Sequence, residues 1–88
     1  MSVFLGGSAY NMVRDMAEGY IIVTERTFRT YKPQELTDFQ MEAEKYLREI
    51  RSNQPAVNDV EATQKRQRKL QRIQQSITIV NAVKARNR

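Results

Sequence analysis

Lys65-Arg66-Gln67-Arg68-Lys69-Leu70-Gln71-Arg72-Ile73-Gln74-Gln75-Ser76-Ile77-Thr78-Ile79-Val80 decides the fold, because it joins a basic run to a heptad-like apolar seam. Leu70, Ile73, Ile77 and Val80 step by three, four and three, which stacks them on one helix face as a heptad-like seam. Val83 extends that seam. Before Leu70 the chain is nearly devoid of apolar residues from Gln64 onward. Residues 57–86 contain neither Gly nor Pro, so nothing interrupts a helix over this span. Asn58 or Asp59 can accept a hydrogen bond from its first amides. The seam covers only two heptads, fewer than the three or four of a self-sufficient coiled coil. It has two outlets: packing on the rest of the chain, or self-association and docking in a partner's groove. Its β-branched Ile77, Ile79, Val80 and Val83 suit a seam at some positions but lower intrinsic helicity.

Upstream, Ser52-Asn53-Gln54-Pro55 reads as a linker closed by proline. Leu36, Phe39, Ala43, Tyr46, Leu47 and Ile50 form a single apolar stripe, which predicts a helix over 34–51. It opens either at Pro33 in the first turn or at a Thr37–Gln40 capping box. Glu44 and Arg48 stand at i,i+4 in the favourable order. Residues 20–31, Tyr20 to Tyr31, are rich in β-branched and aromatic types and predict β structure. This is either a single long strand or a hairpin of 20–24 and 27–31 turning at Glu25-Arg26, a poor turn pair. Ala9, Met12, Val13 and Met16 recur at helical spacing between a capping Ser8 and a terminating Gly19, which predicts a helix over 9–18.

The expected architecture is mainly α with a minor β component: two helices around a short strand or hairpin, then a long basic C-terminal helix. Residues 1–52 form a small helical domain containing the β segment, 53–56 the linker, and 57–88 a basic amphipathic helix that serves as an oligomerisation or partner arm. The order helix, short β segment, helix and basic tail resembles that of small head–tail joining proteins of tailed phages. The likeness lies in element order, and no functional residue is carried across from it.

Charge is unevenly placed. Residues 1–55 carry seven basic and eight acidic side chains, whereas 56–88 carry eight basic and two acidic ones, so the whole +5 excess lies in the last third. Lys65, Arg68, Lys69 and Arg72, at spacings of three, one and three, share one helical face, and Arg66 falls closer to the apolar stripe. These five cations are the candidate contacts to a partner, and Leu70, Ile73, Ile77 and Val80 the candidate helix interface. A cationic face of this kind can be simply solvated, bind nucleic-acid phosphates, lie on an anionic membrane, or meet an acidic protein. The membrane reading is weakened by an apolar face lacking Trp, Phe and Leu bulk. No aromatic residue lies within 47–88, so base stacking there is excluded. Contacts to nucleic acid from this segment would fall mainly on phosphates.

Chemistry is constrained by what the chain lacks. It has no His for acid–base or triad work and no Cys for thiolate chemistry or disulfides. The same absence removes the usual zinc and copper ligands. Gly6-Gly7 lacks the spacing of a phosphate loop, and Glu42 and Glu49 belong to a solvated helix face. Tyr20, Phe28 and Tyr31 read as a packing cluster. Eighty-eight residues build a marginal core, which favours a partner subunit as extra stabiliser. The N-terminal run Val3-Phe4-Leu5 is too short and lacks the basic start of a secretory leader, and no run approaches the roughly 18 apolar residues of a span. The expectation is a cytoplasmic, non-catalytic adaptor or assembly protein without cofactor or small-molecule substrate. It forms a homo-oligomer and contacts an acidic protein surface through its basic helix. The alternative is a nucleic-acid-binding protein using the same residues.

Overall fold

Ser8 begins the first helix as its chemistry requires: its Oγ accepts from the amide of Asn11 at 3.1 Å. The computed structural model describes residues 3–53, 55–56 and 58–86. Four helices follow in order: α1 (Ala9–Glu18), α2 (Glu25–Phe28), α3 (Pro33–Ser52) and α4 (Val60–Arg86). Helix α1 ends where Gly19 takes a left-handed φ of 87° and its N–H turns back to the carbonyls of the last turn. Helix α3 opens with Pro33 at its first turn, and the Glu35 carboxylate accepts from the Lys32 amide at 2.7 Å, so the Thr37–Gln40 alternative is not used. Helix α4 is capped by Asp59, whose carboxylate accepts from the Ala62 amide at 3.0 Å.

The β expectation is corrected: no strand is present among the described residues. Residues 22–24 form no regular element, and Glu25-Arg26, foreseen as a hairpin turn, begin the short helix α2 instead. Packing explains the difference. In a strand, residues three apart point to opposite faces, whereas the turn that follows α2, closed by the Tyr31 amide donating to the Phe28 carbonyl at 3.1 Å, brings Phe28 and Tyr31 together. There their rings meet edge to face at 5.1 Å, and Phe28 meets Phe39 at 4.9 Å. The aromatic trio is thereby split. Phe28 and Tyr31 are buried, while Tyr20 stays 78% exposed. The element order that resembled head–tail joining proteins included this β segment, so that likeness does not extend to the structure.

Helix α4 packs on α1, α2 and α3, and one buried cluster runs through all four helices. Met12, Val13, Met16 and Ala17 come from α1, Phe28 from α2, and Leu36, Phe39, Ala43 and Leu47 from α3. Ile73, Ile77, Val80 and Val83 of α4 close it, with Leu70 half-buried at the edge. The seam foreseen as a helix interface thus packs inside this chain, and residues 60–86 share one core with residues 9–52 rather than standing off as an arm. Helices α3 and α4 run antiparallel: Lys84 near the end of α4 donates to Gln40 in the first half of α3 at 2.7 Å. Arg86 ties the same end of α4 to Glu25 at 2.7 Å. Ser76, fully buried among apolar neighbours, satisfies its hydroxyl on the Ile73 carbonyl at 2.7 Å. No helix of the described residues is long and apolar enough to cross a membrane.

Candidate functional site

The core-facing stripe of α4 runs from Val83 back through Val80, Ile77 and Ser76 to Ile73, all of them buried. In the same helical register it continues through Lys69 and Arg66 to Ala62, all half-buried. The side that is apolar at one end of α4 is cationic at the other, and it still faces the body of the protein.

Two of the foreseen cations act inside the fold. Lys69 pairs with Glu18 at the end of α1, Nζ to Oε1 at 2.9 Å. That hydrogen bond holds the ammonium's pKa above its ordinary 10.5, against the opposing effect of burial. Arg72 donates from Nη1 to the carbonyl of Ala17 at 2.9 Å. It thus meets one of the carbonyls left unsatisfied where α1 ends and sits at the negative end of that helix dipole. Gly19 makes room for it, since a Cβ there would lie 3.0 Å from the Arg72 Cζ.

The other three cations differ. Lys65 is exposed and pairs along α4 with Glu61 at 3.3 Å. Arg68 is exposed and, among the described residues, has no carboxylate partner. Arg66 is half-buried, and its Nε is a buried donor with no hydrogen-bond partner among the described residues. The single cationic face expected of Lys65, Arg68, Lys69 and Arg72 is therefore divided. Lys69 and Arg72 lock α4 to α1, and Lys65 and Arg68 face solvent.

Arg66, Lys65 and Lys69 line one side of an open cleft of about 850 Å³ where the C-terminal end of α3 meets the N-terminal third of α4. The other side is built by Tyr46, Glu49 and Ile50 of α3, with Tyr10 of α1 beside them. The rings of Tyr10 and Tyr46 meet edge to face at 6.5 Å. Burial raises the Tyr46 phenol pKa, partly offset by nearby Lys69, so Tyr46 presents a neutral hydroxyl at neutral pH. Such a lining can hold an anionic group against an apolar wall. Among the described residues no group of three or more His, Cys, Asp or Glu is placed to hold a metal ion.

Sequence reasoning named Lys65, Arg66 and Lys69 but assigned Tyr46 and Ile50 only to the α3 stripe, and it gave Tyr10 and Glu49 no part in a site. One signal was present: the α4 stripe, followed backward in register, lands on cations, so a matching face had to exist on α3 and α1. No family model, curated protein or solved structure matches this chain.

Proposed function

We propose that this chain is a small non-catalytic adaptor or assembly protein that contacts an acidic surface of a partner protein through the N-terminal third of α4. Arg66 carries the reading. A guanidinium on the core-facing side of a helix, with a buried N–H unmatched among the described residues, is costly unless a partner supplies the acceptor. The charge arrangement favours a protein partner over nucleic acid. Phosphate binding gains affinity from many unpaired cations that release counterions. Here Lys65 and Lys69 have carboxylate partners and Arg72 is committed to α1. Self-association belongs to the same proposal. Because the α4 seam is buried, the apolar contact between copies would come from exposed side chains such as Ile22, 86% exposed, or Met41.

Binding to polyglutamate and to duplex DNA, each across a salt series, tests the reading. Polyglutamate should bind, and Arg66→Gln with Arg68→Gln should weaken it. Duplex DNA should bind poorly, with a log–log salt slope no steeper than about −2, the value for two phosphates. Tight DNA binding with a slope of about −6 or steeper, alongside indifference to polyglutamate, would replace the proposal with the nucleic-acid reading.

A further inference from the structure

We infer that the α3–α4 cleft binds a short segment of a partner protein in which one carboxylate side chain stands next to an apolar one. The inference rests on the proposed function and narrows it to one site and one ligand chemistry.

The Arg66 Nε fixes the carboxylate. It is a buried donor with no acceptor among the described residues, and the guanidinium that carries it lines the cleft. A guanidinium edge matches a carboxylate in a planar, two-bond geometry that a backbone carbonyl cannot supply. Only one such group is called for, because the neighbouring Lys65 and Lys69 are already matched by Glu61 and Glu18. Glu49 on the opposite wall repels a second acidic residue in the same segment. Within the cleft a polyphosphate backbone therefore fits poorly and a single acid fits well, the rest of an acidic surface being left to exposed Arg68 outside it.

The apolar neighbour follows from the opposite wall. Tyr46 and Ile50 are half-buried and Tyr10 is 45% exposed, leaving ring and aliphatic surface uncovered within the cleft. An aliphatic or aromatic side chain beside the carboxylate would cover that surface and dry the ion pair, which strengthens it.

The test is nuclear magnetic resonance of the intact chain, following the arginine Nε–H signals and the tyrosine rings. Three capped peptides are titrated: Gly-Gly-Glu-Leu-Gly-Gly, its Gln-Leu counterpart and its Glu-Ser counterpart, with polyglutamate as a separate titrant. The Glu-Leu probe should shift the Arg66 Nε–H and Tyr46 ring signals saturably. The Gln-Leu and Glu-Ser probes should each bind at least about tenfold more weakly, the scale of one lost charged hydrogen bond for the first and of one lost buried aliphatic side chain for the second. Arg66→Met, which keeps the aliphatic stem, should cause a similar loss. The peptide comparison is made on the unaltered protein and holds even if that variant folds poorly. If polyglutamate binds while the Glu-Leu probe leaves the Arg66 and Tyr46 signals unmoved, the cleft inference falls and the proposed function stands. If neither binds, both fall. If the Gln-Leu probe binds as well as Glu-Leu, the cleft is an apolar site and the carboxylate assignment is overturned.

Discussion

Gly19 holds two tasks at one position. Its φ of 87° is open to glycine at little steric cost, and its missing side chain leaves the space that the Arg72 guanidinium occupies. Gly19→Ala should cost about 1 kcal/mol from the backbone alone, and more if Arg72 loses the Ala17 carbonyl; urea unfolding measures it. Ile73 is fully buried at the centre of the seam. Ile73→Ala should cost about 3 kcal/mol in the same experiment, with a midpoint independent of protein concentration. A midpoint that moves with concentration would show that the seam contributes to an interface between chains. Tyr31 predicts alkaline sensitivity. Burial first, and the nearby Glu35 charge second, push its phenol up to about 12, and its hydroxyl donates to the Val3 carbonyl at 2.9 Å. An unfolded phenol loses its proton near pH 10, so between about pH 10 and 12 the unfolded state binds fewer protons and stability falls as pH rises. Tyr31→Phe should flatten that part of the stability–pH curve while lowering stability at neutral pH through loss of the hydrogen bond.

At the scale of the element, α4 joins two kinds of surface in one register, and the Lys69–Glu18 pair sits at their junction. Both side chains are about a third exposed, so a double-mutant cycle with Lys69→Gln and Glu18→Gln should return a coupling below about 1 kcal/mol. The raised pKa of Lys69 means that this contribution is fully present below pH 10.5 and fades as pH rises through the higher folded value. Elements with terminal signals were legible from sequence. Ser8 and Gly19 bound α1, Pro33 opens α3 and Asp59 caps α4, because caps are local chemistry that a reader meets in order. Residues 20–31 were not legible in this way. Their β-branched and aromatic content expresses a demand for burial, and whether a strand or a helical turn meets it depends on where Phe39 lies, which no local pattern reveals. The site was half legible for the same reason. Its cations cluster in sequence, but Tyr10 and Tyr46 reach it only through tertiary packing.

For the molecule as a whole, the packing of α4 sets resistance to proteases. Arg66, Arg68, Lys69 and Arg72 offer four tryptic positions within seven residues, yet all lie in a helix held against the other elements. Cleavage there should track global unfolding, so its rate in urea should parallel the unfolding free energy. Rapid cleavage at these positions in native buffer, with residues 1–52 left intact, would show instead that the segment is unfolded. Helix α4 also decides when the chain can fold during synthesis. Ile73, Val80 and Val83 close a core that begins at Met12, so a ribosome must translate almost the whole of α4 before the core shared by the earlier helices can be closed. Until then Met12, Val13, Phe28, Leu36 and Phe39 lack the cover that α4 supplies. Chaperones are thus offered a long window of recognition, and a product released by premature termination before residue 73 would be handed to aggregation or degradation.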